Sequence, residues 1–342
     1  DDLVFKARTI LATALGCKDL VHAIAPVSTP LCSSVVRATL LKSWAVAAGD
    51  PASHAVDWFW DGAPCGIDVH PSLDGIWPLK EEGEFEPPAF DDVSAKVINH
   101  GTTDSEVVEL LRQYEAKGYI RRFRTTRQFK KAAGSDVVFS KLVVIEKVRF
   151  DAVANDFDTK KRTVLDLKAS SISKATRLKY KGILPKAVKA IRNLLELMRK
   201  MALDHILMQM VTDLVDAFWI MPNSPAERKY FVAKYENHII MCLRTVQGSR
   251  HAGLTGGTIV GIVGRCICSL FADSEDPDNE ELRMQTYVDD PWRASAGTEA
   301  RATTNFAMAA LTWLVLGFPL AFHKAQRGPK LSWIGVSLSS VS

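Results

Sequence analysis

The chain is 342 residues long, and at roughly 100–200 residues per domain this predicts two domains or one multi-lobed domain. Hydrophobic residues make up 47% and charged residues 24%, which excludes collagen-like, low-complexity and wholly disordered chains. The net charge of +4 hides a segregation, with 2 basic against 14 acidic side chains in 50–111 and 24 against 8 in 112–200. The basic block is a candidate footprint for a polyanion, and the bland alternative is a solvated helical face.

Residues 1–48 read as helical, with apolar runs at 10–15 and 35–48. The chain opens on Asp1-Asp2 without a basic, apolar leader, so it reads as a piece of a longer polypeptide with no secretory signal. Residues 49–92, rich in Pro, Gly, Asp and Trp, read as irregular wrapping or linker. A helix follows, capped by Thr103 or Asp104, with Val107, Leu110, Leu111 and Tyr114 on its apolar face and Gly118 as its stop. Strands are expected at 141–145 and 162–167, separated by a turn-rich stretch through Asn155-Asp156. A long amphipathic helix is expected over 186–210, with Val188, Ile191, Leu194, Leu195 and Met198 on one side. The six cysteines form no Cys-x-x-Cys pair, which fits a reducing compartment and argues against a structural metal held by Cys and His. The apolar run at 254–271 is broken by glycines and Arg265, so no membrane span is expected.

Two stretches carry acids at positions that suit chemistry. Val211-Thr212-Asp213-Leu214-Val215-Asp216-Ala217-Phe218 is a strand-like run with an acid inside it. Met284-Gln285-Thr286-Tyr287-Val288-Asp289-Asp290-Pro291 ends a short strand on two adjacent acids, at what reads as a hairpin tip. Were the two strands neighbours, Asp213 and Asp289 would converge. Clustered carboxylates repel and raise one another's pKa unless a cation neutralises them. Oxygen ligands of this kind suit Mg²⁺, and two such ions about 3.5–4 Å apart can activate a hydroxyl and stabilise a leaving pyrophosphate. Alone, each acid is equally an ordinary turn residue.

Together the motifs resemble the catalytic core of reverse transcriptases of retroviruses and retrotransposons. The Asp213 stretch, continuing into Ile220-Met221-Pro222 and Arg228-Lys229-Tyr230, is similar to the first palm motif of that family, and Tyr287-Val288-Asp289-Asp290 to its Tyr-x-Asp-Asp motif. Arg162-Thr163-Val164-Leu165-Asp166-Leu167-Lys168 resembles the fingers motif, and Gln247-Gly248 the motif between the two carboxylate strands. Gly317, Lys324 and Leu331-Ser332-Trp333-Ile334-Gly335 resemble the late palm lysine and primer-grip hairpin. Two departures stand out: Ser249-Arg250-His251-Ala252-Gly253 replaces the usual Ser-Pro, and Pro291 directly follows the acids.

The resemblance implies an α+β right-hand polymerase core whose antiparallel palm sheet is backed by helices. It implies a basic, fingers-like region at 101–210, a palm at 211–342 without a thumb, and an N-terminal extension at 1–100 that the family does not explain. It implies RNA-directed DNA synthesis from deoxynucleotides on an RNA or DNA template-primer, within a retroelement polyprotein, in nucleus or cytoplasm, with no membrane partner. Asp213, Asp289 and Asp290 would hold two Mg²⁺ ions, with Mn²⁺ as a substitute, and Lys324 would serve the leaving pyrophosphate. Arg162, Asp216, Ala217, Phe218, Gln247 and Gly248 would bind the nucleotide, Phe218 as a gate against a 2′-hydroxyl. Tyr287, Val288, Trp333 and Gly335 would meet primer or template. The rivals are a catalytically inactive nucleic-acid-binding remnant of a decayed retroelement, and an RNA-templated RNA polymerase that Phe218 disfavours.

Overall fold

The computed structural model describes residues 2–30, 32–81, 105–134, 137–151, 156–202, 204–271 and 282–340. The cap expected at Thr103 or Asp104 lies outside them. The chain opens with helices α1 (Asp2–Ala14) and α2 (Leu20–Ile24), the latter capped by the Asp19 carboxylate accepting from the His22 N–H at 2.9 Å. A two-strand ribbon, β1 (Val27–Ser28) and β2 (Ser33–Ser34), leads into α3 (Ala38–Ala47), a 3₁₀ turn (Ser53–Asp57) and α4 (Trp58–Asp61). Of the stretch expected to be irregular wrapping or linker, residues 49–81 are described, and within them Ala55, Val56, Phe59 and Leu73 are fully buried in the same core as α10 (Ala252–Ser269) and α11 (Glu299–Val315).

Close approach explains how that region is held. Arg8 donates through Nε to the Val315 carbonyl at 2.8 Å and through Nη2 to that of Leu314 at 2.9 Å, so a cation sits at the negative C-terminal end of α11. Gly317, at φ +86°, closes α11, and a Cβ there would run into the Val35 carbonyl. Glu227, fully buried, accepts backbone N–H groups from Cys65 (2.6 Å), Ile67 (2.8 Å), Asp68 (2.9 Å) and Val69 (3.2 Å).

Two larger sheets follow. The first is mixed and five-stranded, in the order β3 (Ile120–Phe123), β8 (His238–Cys242), β7 (Val232–Tyr235), β4 (Phe139–Asp151), β5 (Asp156–Asp166). Only the β4–β7 pair is parallel. Helix α5 (Ser105–Ala116) covers one face through Val107 and Leu111, and α6 (Thr126–Ala133) covers the other through Phe129. The second sheet is antiparallel, in the order β11 (Gln326–Gly328), β6 (Ile206–Val211), β10 (Asp290–Gly297), β9 (Leu282–Tyr287). The sheets interleave along the chain, since β7 and β8 come after β6.

Period-2 alternation puts opposite faces of β6 and β10 to different uses. Leu207, Val211, Trp292 and Ala294 pack with α8 (Ala187–Lys200) and the hairpin β12 (Lys330–Trp333)–β13 (Val336–Ser339), where Trp333 stacks 5.8 Å from Trp292. Burying indoles of this size stabilises by about 1.5–3 kcal/mol each or more. The other face meets α10 and α11, where Asn305 donates to Ser295 at 2.9 Å. The fold is therefore mixed α+β with several sheets. Two short helices, α7 (Ile172–Ala175) and α9 (Ala217–Ile220), complete the described elements. Among the described residues α10 alone is long and apolar enough to cross a membrane, yet Ile259, Ile262, Val263, Cys266 and Ile267 lie in the protein core.

Two expectations are corrected. The helix expected over 186–210 ends at Lys200: Arg199 and Lys200 complement its C-terminal dipole and Met201 turns extended. Residues 206–211 form β6 instead, since their alternation pairs between two strands. The buried side is also shifted: Leu194 lies inside as expected, joined by Ala190 and Leu197, while Val188 is 66% exposed and Ile191, Leu195 and Met198 face outward.

Candidate active site

Asp213 lies not within a strand but just past the end of β6, in a loop held on both sides by backbone pairing. On one side the Thr212 N–H donates to the Pro291 carbonyl at 3.1 Å and the Leu214 N–H to the Asp289 carbonyl at 2.8 Å. On the other, the Ala321 N–H donates to the Asp213 carbonyl at 2.8 Å and Leu214 bridges to Leu320. The second acid sits at the tip of the β9–β10 hairpin, where Tyr287 pairs with Asp290 across a two-residue turn of Val288 and Asp289. Val288 adopts φ +57° and Asp289 does not, a pattern that ordinarily calls for glycine at the first position. Holding a β-branched residue there stores about 1–3 kcal/mol of strain. Trp333, 2% exposed, donates its indole N–H to the Asp290 carbonyl at 3.1 Å and braces the hairpin from below.

The acids feel one another. Burial, then the neighbouring Asp213 carboxylate, raises Asp289 above its ordinary value. Burial, then Asp289 and Asp213, pushes Asp290 up to about 6. Lys324 opposes both shifts, and Arg162 opposes that of Asp289. The Lys324 ammonium forms an ion pair with the Asp213 carboxylate. Among the described residues, no three His, Cys, Asp or Glu side chains are grouped to hold a metal ion.

A cavity of ≈ 290 Å³ gathers Asp213, Asp289, Lys324, Arg162, Asp216, Ala217, Phe218 and Gln247 on its walls. Arg162 comes from β5, opposite Ile145 of β4, and the half-buried Phe218 from α9. The remaining candidates lie elsewhere. Gly248, at φ +88°, packs against Val164 behind the wall. Val288 faces a second cavity of ≈ 640 Å³, between α8, α10 and β9, whose rim carries Lys186, Lys189 and Arg192. Tyr287 packs beside the Trp292–Trp333 cluster. Gly335, at φ +79°, forms the β12–β13 turn with Ile334, at φ +45°. Contact with a nucleic-acid end cannot run through the Trp333 side chain, which has almost no free surface.

Sequence reasoning missed the far wall. Lys117 pairs with the Asp216 carboxylate at 2.8 Å, and the Tyr119 hydroxyl donates to the same oxygen at 3.1 Å. Tyr119 stacks at 5.3 Å on Trp219, and burial followed by Asp216 raises its pKa. These bonds hold Asp216 at φ +53°, the left-handed residue from which α9 starts. The one sequence signal was a lysine at the end of a predicted helix, which reads equally as a dipole partner. The Ser249–Gly253 departure has a structural account: His251, wholly buried, lies 5.4 Å from the Phe231 ring at the start of α10, and burial drives its pKa down to about 3. No family model and no curated protein matches the chain.

Proposed function

We propose that this chain is the fingers-and-palm part of a retroelement reverse transcriptase, an RNA-directed DNA polymerase. In this reading the five-stranded sheet with α5 and α6 is the fingers, and the four-stranded sheet with α10 and α11 is the palm. The observation that carries it is the meeting of Asp213 and Asp289, from the loop after β6 and from the β9–β10 tip, in one cavity with Arg162, Gln247 and Phe218. RNA or DNA template-primer and deoxynucleoside triphosphates are the substrates.

The donor set suits a divalent cation. Crowded carboxylates with raised pKa values call for positive charge, and Mg²⁺ is commonly held by one or two carboxylates, with phosphates and waters supplying the rest. Asp213 and Asp289 would hold it, with Asp290 adjacent. When bound, the metal supplies activation of the primer 3′-hydroxyl and neutralisation of the pyrophosphate. The protein's own residues do the positioning. Arg162 offers a planar guanidinium for bidentate contact with the triphosphate. Lys161 and Lys117 add positive charge to the same walls. Phe218 closes the side on which a 2′-hydroxyl would project.

The inactive-remnant reading draws support from the Lys324–Asp213 pair and from the lack of a three-ligand group among the described residues. Primer extension separates the two. Mg²⁺-dependent dNTP addition on an RNA template, lost in Asp213→Asn, supports the polymerase. Template binding without extension supports the remnant.

A further inference from the structure

We infer that Lys324 is the internal counter-ion of this site and the competitor that an incoming divalent cation displaces, so that it sets the cation concentration at which the site fills. The inference rests on the polymerase reading, which alone calls for a divalent cation at Asp213. Its basis is backbone geometry rather than the reach of a long side chain. The Asp213 carbonyl accepts from the Ala321 N–H at 2.8 Å, and the Ala321 carbonyl accepts from the Lys324 N–H at 3.0 Å. The 3₁₀ turn Phe322–Lys324 is thus hung directly from the residue whose carboxylate its lysine neutralises. Among the described residues no second cation pairs with Asp213, and the charge of Lys324 reaches Asp289 and Asp290 as well.

Asp289 and Asp290 both feel the Asp213 charge, and in a cation-free protein Lys324 relieves that repulsion. A lysine is a compact charge on a flexible stem. It can leave the Asp213 oxygen for the same cavity's interior with its proton retained, one cation replacing another, no covalent bond made or broken. Lys324 is 35% exposed and the Asp213 side chain 17%, so the pair is screened only in part. Removing the competitor should therefore tighten divalent-cation binding, while removing Asp213 should weaken it.

The test is calorimetric titration of Mn²⁺ into the full 342-residue chain without nucleotide or nucleic acid, for wild type, Lys324→Met, Lys324→Arg and Asp213→Asn. Lys324→Met should bind Mn²⁺ about tenfold more tightly, a change of about 1.4 kcal/mol, and Lys324→Arg should stay near wild type. Melting curves give a second readout: Lys324→Met should melt lower than wild type without metal and gain more on adding Mn²⁺. Should the methionine variant not fold, Lys324→Gln takes its place. Unchanged or weaker Mn²⁺ binding in Lys324→Met, alongside a loss in Asp213→Asn, overturns the inference and leaves the metal site standing. Mn²⁺ binding unaffected by Asp213→Asn overturns both.

Discussion

The backbone N–H of Leu214 donates to the carbonyl of Asp289 at 2.8 Å, so the residue after the first acid is bonded to the second acid itself. The approach of the two acid-bearing segments is therefore fixed by a main-chain hydrogen bond. Replacing either acid by its amide should leave this frame intact. Asp213→Asn and Asp289→Asn are each expected to lower primer extension by at least about 10²-fold, the scale of losing one charge-stabilising group. Circular dichroism and melting should stay near wild type. Collapse of the fold in both variants would show that the charges are structural.

Phe218 supplies the sugar test. Pushing a 2′-hydroxyl against its ring costs about 1–3 kcal/mol in overpacking, and stripping that hydroxyl of water costs a similar amount. Together these predict on the order of 10²–10⁴ discrimination for dNTP over rNTP, at ~1.4 kcal/mol per factor of ten. Phe218→Ala or Phe218→Val should admit ribonucleotides in single-nucleotide extension while dNTP addition persists. Equal discrimination before and after would leave Phe218 as an ordinary half-buried aromatic.

Lys117 should act through Asp216. Their ion pair joins side chains 51% and 31% exposed, so its loss should cost the fold no more than about 1 kcal/mol. The pair nevertheless pins the left-handed Asp216, two residues before Phe218. Lys117→Met is expected to raise the KM for nucleotide roughly fivefold with little change in kcat, the kinetic weight of about 1 kcal/mol. Lys117→Arg should restore it. A fall in kcat with KM unchanged would place Lys117 elsewhere in the reaction.

The raised carboxylates give a pH signature. A carboxyl whose folded pKa lies above its unfolded value makes the native state bind more protons, so stability falls as pH rises between the two values. For Asp290 that window runs from the ordinary carboxylate range up to about 6. Without divalent cation, Asp290→Asn should raise the melting temperature at pH 7.5 and raise it by clearly less at pH 4.5, near the low end of that window. Mg²⁺ should stabilise wild type at pH 7.5 and much less at pH 4.5. A uniform effect of Asp290→Asn across this range would remove Asp290 from the coupled cluster.

What was legible in the sequence depended on how local the signal is. Asp213, Asp289 and Phe218 could be placed because short motifs fix them near strand ends and turns, but the tip is Val288-Asp289, and Asp290 and Pro291, expected in the turn, pair in β10 instead. The pairing of Lys117 with Asp216 spans 99 positions, so no local pattern carries it. The helix over 186–210 was drawn too long because leucine and methionine suit helix and strand alike, so pairing partners decided the state of 206–211. The buried side of α8 is shifted from the expected one because Ala190 carries little hydrophobic weight yet is fully buried. The motif assigns Trp333 to primer or template, and only its burial shows that the side chain is a brace.

The grip of Arg8 on α11 bears on how the protein is made. Its partner carbonyl on Val315 lies 307 positions further along the chain. At ~5–20 residues per second, a ribosome needs roughly 15–60 s to deliver that partner. Glu227, which clasps residues 65–69, arrives sooner but still 162 positions after Cys65. Throughout that interval α1 and α3 lack the α10 and α11 surfaces that cover them in the finished molecule. Helices α1 and α3 are thus covered only after α10 and α11 have followed them from the ribosome, and their apolar sides wait uncovered for that interval.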